Sequence, residues 1–403
     1  MKKVLAIMLV LAMLFSFAAC GGETDKEGSE SDFKVGVILL GDENEAYTYA
    51  HILGIQQAIE NLGLNPNQVI WKYNVAEKET CRDEAIDLAE LGCKYVFSNS
   101  YGHQPYMYEA AKEFPETVFV AVTGDNAISS GLDNLKNGFP RAFESRYVSG
   151  VVAGLKVKEL LDNNQLSSKN FDADGNVKIG YVGAYPYAEV ISGYTSFFLG
   201  IKSIVENVVM DVTYTNSWFD ITKEGEAANA LMSRGCVIIG QHADSTGAPS
   251  AVQAANEAGT VAYSVGYNVD MLSVAPEAAL TSATNNWSVF YTYAIDAAMK
   301  GAEMDANWSK GYADNAVAIS TLGSSCAEGT QEVVDSVIAS IKDGSLKVFD
   351  VNNWTVNGET LTSYDTVYNF EGHEMIYDGY FHESEYRSSP CFEIVIDGIT
   401  PLN

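Results

Sequence analysis

Two stretches of the chain, Lys34 to Gly54 and Lys178 to Gly200, follow one plan: an apolar run, a polar loop, then an amphipathic helix. KVGVILLGDENEAYTYAHILG and KIGYVGAYPYAEVISGYTSFFLG share a Lys-[Val/Ile]-Gly opening and a closing Gly-Ile step, at Gly54-Ile55 and Gly200-Ile201. Strands that are apolar on both faces belong in parallel sheets covered on both sides. Such sheets place ligands at the loops leaving the carboxyl ends of their strands. The repeat therefore predicts two similar lobes, each offering a loop to one ligand held between them.

The rest of the chain keeps the same alternation. Ile52, Ile55, Ile59 and Leu62 recur at helical spacing, and Gly63 stops that helix. Strands are expected at Val69–Tyr73, Tyr95–Ser98 and Val118–Val122, with helices at Cys81–Leu91 and Pro105–Glu113. The second half repeats this with strands Val208–Tyr214, Val237–Gly240 and Val261–Val265 and helices Lys223–Met232 and Pro249–Ala258. Strict β/α alternation makes helix-covered parallel sheets the economical fold, an α/β class with two doubly wound lobes. Phe139–Phe143 is read as leaving the first lobe and Ala279–Ser282 as a return crossing. The expected division is residues 33–142 and 281–322 in lobe 1, and 143–280 and 323–403 in lobe 2. After Val348 the chain is rich in Tyr, Thr and Asn-Gly or Asp-Gly pairs, which predicts β-hairpins packed on one lobe.

Residues 1–19 have two lysines, an apolar run and small residues before Cys20, the pattern of a secretory signal. Phe17-Ala-Ala-Cys20 resembles a bacterial lipobox, which implies a diacylglyceryl anchor on Cys20, with residues 20–32 as a polar tether. The protein is expected on the extracytoplasmic face of the membrane. The net charge of −29 deepens by two when Lys2 and Lys3 leave with the signal, and this argues against a nucleic-acid partner. Five cysteines besides Cys20, without a Cys-x-x-Cys spacing, argue against a zinc site. Pairs Cys81–Cys93 and Cys326–Cys391 stay open beside buried free thiols. Asp172-Ala-Asp174-Gly-Asn176 has its glycine one place too early for a calcium loop and reads as an Asp-Gly turn. There is no Gly-x-Gly, P-loop, Gly-x-Ser-x-Gly or His-Glu-x-x-His, so no cofactor and no catalytic step is expected.

The predicted strand ends carry aromatics, amides and carboxylates: Asp42 with Tyr47 and Tyr49, Asn99 with Tyr101, Asp125, Trp218 with Asp220, Asp244, and Asn268 with Asp270. Aromatic faces hold a flat ring, and carboxylates accept from hydroxyl or amino groups, so the set suits a neutral, planar, polar ligand. Taken singly, Asp220 and Asp125 also read as helix or turn caps, and Tyr47, Tyr101 and Trp218 as packing at a lobe edge. His242, in a strand-end loop, reads as a hydrogen-bonding residue.

Several motifs, in order, resemble the basic membrane protein family of bacterial ABC-transporter substrate-binding lipoproteins, which includes purine nucleoside receptors. They are Gly41-Asp42 with Tyr47-Thr-Tyr-Ala-His51, Ile179-Gly-Tyr-Val-Gly183 with Pro186 and Glu189-Val190, Thr215-Asn-Ser-Trp-Phe-Asp220, Gln241-His-Ala-Asp244, Gly266-Tyr-Asn-Val-Asp-Met271 and Leu280-Thr-Ser282. The resemblance implies a type I periplasmic binding protein with a three-segment hinge. It also implies a monomer that captures a purine nucleoside or nucleobase and delivers it to an ABC permease with its ATPase. Asp270 matches a family position facing the sugar. Asn268 stands where many relatives have Asp, and Asn285 where nucleoside receptors carry Lys, which leaves nucleoside and free base both open. A sugar receptor, a sensor lipoprotein and an exported nucleoside hydrolase using Asp42 or Asp244 as base are the alternatives.

Overall fold

The computed structural model describes residues 33–365 and 373–403; Cys20, the signal segment and the tether lie outside the described residues. No helix among the described residues is long and apolar enough to cross a membrane. The first lobe opens with β1 (Val35–Ile38), buried throughout, and α1 (Ala46–Leu62), which ends at Gly63 in the left-handed region. There follow β2 (Val69–Lys72), α2 (Glu79–Glu90), β3 (Tyr95–Ser98), α3 (Gln104–Glu113), β4 (Val118–Val122) and β5 (Leu135–Gly138). The second lobe holds α4 (Ala142–Asp162), β6 (Val177–Gly183), α5 (Ala188–Lys202), β7 (Val208–Tyr214), α6 (Ile221–Ser233), β8 (Ile238–His242), α7 (Gly247–Glu257), β9 (Tyr263–Tyr267) and β10 (Ala279–Asn285). The remainder comprises α8 (Trp287–Lys300), β11 (Asn307–Trp308), β12 (Val317–Ile319), α9 (Thr330–Lys342), β13 (Ile376–Tyr377), β14 (Tyr380–Phe381) and β15 (Ile399–Pro401).

One sheet runs β11-β5-β4-β3-β1-β2 with every pair parallel. The other runs β12-β10-β9-β8-β6-β7-β15 and is parallel except for β12, which runs antiparallel to β10. The chain passes between sheets three times: after β5, after β10 and after β11. The expected boundaries of the discontinuous part shift accordingly. Residues 281–285 do not return to lobe 1, because β10 pairs with β9 through Ala283. Only α8 and β11 go back to the first lobe, and β12 rejoins the second sheet. Both β5 and β11 are additions to the expected strands.

Where elements cross closely, glycine is required. A Cβ on Gly150 of α4 would collide with the carbonyl oxygen of Phe197, and one on Gly200 of α5 with that of Tyr147. The repeated Gly-Ile step noted in the sequence thus has one function in both lobes: Gly54 of α1 is likewise pressed against Trp287 of α8.

The segment after Val348 packs on the second lobe and holds one short hairpin, β13–β14, among the described residues. Asp378 and Gly379, both at positive φ, form the β13–β14 turn. Phe349 stacks on Phe392 at 4.4 Å, with Trp354 and Phe381 edge-on to the latter. Buried Glu383 accepts from the Ser192 hydroxyl and from the Cys391 and Phe392 amides. All five described cysteines are free thiols, and burial pushes Cys81 and Cys236 up to about 12. The Asp172 carboxylate accepts from the Asn176 backbone and side chain, closing the turn on itself.

Candidate functional site

The loops at the carboxyl ends of both sheets enclose a cavity of about 230 Å³. The first lobe lines it with Leu40, Gly41, Glu45 and Tyr47 after β1, Asn99, Ser100 and Tyr101 after β3, and Thr123 after β4. The second lobe contributes Glu189 after β6, Trp218 and Phe219 after β7, His242 and Asp244 at β8, and Tyr267 at β9.

Each side chain is held from behind. Glu45 caps α1, accepting from the amides of Tyr47 at 2.9 Å and Thr48 at 2.8 Å. Asn99 ties two loops together: its Oδ1 accepts from Leu40 N at 2.8 Å, while its Nδ2 donates to Thr48 Oγ1 at 3.2 Å. Tyr47 donates its hydroxyl to the Asn99 carbonyl at 2.5 Å. Its ring meets the edge of His51, which is stacked on Trp287 at 3.9 Å and paired with the Tyr291 hydroxyl at 2.7 Å. Tyr101 donates to Asp125 at 3.0 Å. Thr123 sits at φ +69, an unusual conformation for a β-branched residue, and its buried hydroxyl has no protein partner among the described residues.

In the second lobe the Asp244 amide donates to the Trp218 carbonyl at 2.8 Å, and Asn268, at φ +65, donates its Nδ2 to Asp244 Oδ1 at 2.7 Å. Trp218 is edge-packed against Tyr185. Behind Tyr267 lies buried Arg146, its guanidinium 3.5 Å from the ring centroid and donating to the Gln241 carbonyl at 2.6 Å. Gly193 leaves room for the His242 ring, whose Nε2 is 3.2 Å from Glu189.

Burial and the Arg146 charge lower His242 to about 4, so its imidazole is neutral and donates to Glu189. Burial, reinforced by Glu45, Glu224 and Glu189, raises Asp244 well above the carboxylate range. Burial also raises Glu45. No Lys or Arg faces the cavity among its described lining residues. The described lining thus combines aromatic rings with carboxyl, amide and hydroxyl groups.

Of the residues expected from sequence, Tyr47, Asn99, Tyr101, Trp218 and Asp244 meet in the cavity. The others have different surroundings. Asp42 accepts from Asn44 and Asn74 and shapes its own loop; those bonds hold it below the usual carboxylate range. Asp220 is the N-cap of α6, accepting from Lys223 N at 3.0 Å. Asp270 is exposed and accepts from Leu272 N at 2.7 Å, and with Tyr49 it lines a separate outer groove. Asn268 acts through Asp244, and Asp125 stands behind Tyr101. Glu45, Glu189 and Tyr267 were not anticipated. The first two sit at helix starts, where an acid reads as a cap.

The sequence profile of the Bmp family, described as ABC transporter substrate-binding protein PnrA-like, matches residues 35–348. A purine-binding protein of Brucella abortus is 30% identical over 339 residues, covering 82% of this chain and 89% of that one. A putative ABC transporter glucose-binding protein of Haloferax volcanii is 33% identical over 214 residues, 53% of this chain and 48% of that one. Among solved structures, an ABC transporter solute-binding protein of Aeropyrum pernix aligns with a TM-score of 0.64 at 16% identity, over 79% of this chain and 93% of that one.

Proposed function

The chain belongs to the PnrA-like family of ABC transporter substrate-binding proteins, and from that premise we propose that its ligand is a purine nucleoside or purine base. It is an extracytoplasmic solute-binding protein and not an enzyme. The observation that carries the ligand reading is the pairing of Tyr47 from one lobe and Trp218 from the other in a cavity whose described lining also holds hydroxyl and carboxyl groups. A purine has two π faces for the rings, and its edge alternates acceptor nitrogens with donor groups, which the Thr123 hydroxyl and the lining carboxyls can match. The ligand touches both lobes together only when they are closed, so its differential affinity draws the hinge equilibrium toward closure. The closed form would then be the one recognised by a permease.

Thermal-shift measurements on ligand-stripped protein check this reading. Purine nucleosides or bases are expected to raise the melting temperature at micromolar concentration, with little response to glucose or pentoses. A shift with sugars and none with purines would replace the purine reading by a sugar receptor, in line with what the Haloferax relative is named for.

We also propose that Cys20 carries a lipid anchor, on the strength of the lipobox-like segment and the polar tether that follows it. Wild-type protein is expected in the detergent phase after phase partitioning, and Cys20→Ser in the aqueous phase. Wild-type protein found in the aqueous phase would rule the anchor out.

A further inference from the structure

Residues beyond Val348 lie outside the matched family profile, yet they form a wall of a second cavity beside the first. This chamber, about 250 Å³, shares Tyr101, Glu189 and Trp218 with the ligand cavity and adds Asp125, Tyr187, Arg387 and Glu393. The extension reaches it by bridging to the first lobe. Arg387 lies 3.3 Å from Asp125, both side chains almost wholly buried, and the Ser388 hydroxyl donates to the Gly124 carbonyl at 3.4 Å. The Asn307 side chain donates to the Tyr386 carbonyl at 3.2 Å.

The charges of the chamber restrict its occupant. The Arg387 guanidinium is engaged by Asp125 and by the carbonyls of Ser389 at 3.1 Å and Pro390 at 2.7 Å, so it is a poor receptor for a further anion. With Arg387 and Asp125 cancelling one another, Glu189 and Glu393 are left as the charged groups of the described lining, and they oppose an anion. Both carboxylates accept hydrogen bonds: Glu189 faces His242, and Glu393 takes the Tyr364 hydroxyl at 2.8 Å. Tyr101, Tyr187 and Trp218 present ring faces, with Tyr101 and Tyr187 centroids 6.4 Å apart. Carboxylate acceptors beside aromatic rings, in a lining that repels anions, suit a ring bearing hydroxyl donors.

We propose that the C-terminal extension builds a subsite for a hydroxylated, sugar-sized substituent, so that a nucleoside binds with its base in the ligand cavity and its pentose in this chamber. The assignment rests on the purine reading of the ligand cavity and goes beyond it by naming which part of the ligand the extension selects.

Calorimetry with matched pairs, inosine against hypoxanthine and adenosine against adenine, tests it. Wild-type protein is expected to bind the preferred nucleoside at least about tenfold more tightly than its base. Glu393→Ala and Tyr187→Ala are each expected to weaken the nucleoside about tenfold while leaving the base within about twofold. Tyr187 is 48% exposed, so its truncation opens no core cavity, and an unchanged melting temperature keeps the comparison readable. Equal wild-type affinity for base and nucleoside, or variants that weaken both alike, would overturn the subsite while the purine reading stands. Wild-type protein that binds neither form would overturn both.

Discussion

Trp218→Ala is expected to weaken purine binding by about 10- to 100-fold, on the order of 1 to 3 kcal/mol, as loss of a stacking ring typically does. Trp218 is only partly buried and leans on Tyr185 and Tyr187, so its removal leaves the lobe core intact. The bond from the Asp244 amide to the Trp218 carbonyl is a backbone bond and survives the substitution. Tyr47→Ala is expected to cost a similar amount. Tyr47→Phe separates the ring from the hydroxyl, which is already engaged by the Asn99 carbonyl, and should retain most of the affinity. Calorimetry on all three, with melting temperatures recorded in the absence of ligand, distinguishes binding from folding. Unaltered affinity with a lowered melting temperature would make both rings parts of the scaffold.

The largest effect on stability is expected at Gly200. Any Cβ there meets the Tyr147 carbonyl, and Gly150 stands directly opposite, so the clash is with backbone that no rotamer change relieves. Separating α4 from α5 would disturb the buried face made by Val148, Val151, Phe197 and Ile201. Gly200→Ala should destabilise by about 3 kcal/mol, the upper end for overpacking. Gly225, inside α6, is the control. Its nearest neighbour to a built Cβ is 3.4 Å away, and Gly225→Ala should stabilise by about 0.5 to 1 kcal/mol through helix propensity. Denaturant titration of the two variants gives the comparison; similar midpoints would show that the helices can part cheaply.

The alternation of strands and helices was legible because β1, β3, β6 and β8 carry short, mostly apolar runs and are buried on both faces, as a helix-covered parallel sheet requires. The strands it missed lack that signal. Leu135–Gly138 reads Leu-Lys-Asn-Gly, and Asn307–Trp308 is two residues long; each is a strand because a neighbour pairs with it. Likewise nothing in Ala279–Asn285 tells the chain to stay in the second sheet past residue 281. That follows from pairing with β9 and β12.

At the site, ring residues were easier to place than acids. Tyr47, Tyr101 and Trp218 line the cavity while packing on their own lobes, and of the predicted rings Tyr49 alone lies in the outer groove. An Asp at a strand end has two uses, and sequence does not separate them: Asp244 turns into the cavity, whereas Asp42, Asp220 and Asp270 bond amides two or three residues away. Glu45 does both at once, capping α1 while lining the cavity, which is why position alone conceals it.

The interleaving of the two sheets also sets an order of assembly. The first sheet has no outer neighbour for β5 until β11 arrives, after the whole of β6 to β10 has been laid down. The second sheet keeps an open edge at β7 until β15 joins it, and Asn403 closes that edge by pairing with Tyr214, 189 residues earlier. A chain emerging from its amino end therefore exposes the edges at β5 and β7, which the finished fold covers, through most of its delivery across a membrane. Contacts of this span form late and slowly. For that interval the half-made protein depends on something other than its own sheets to keep those edges from joining one another.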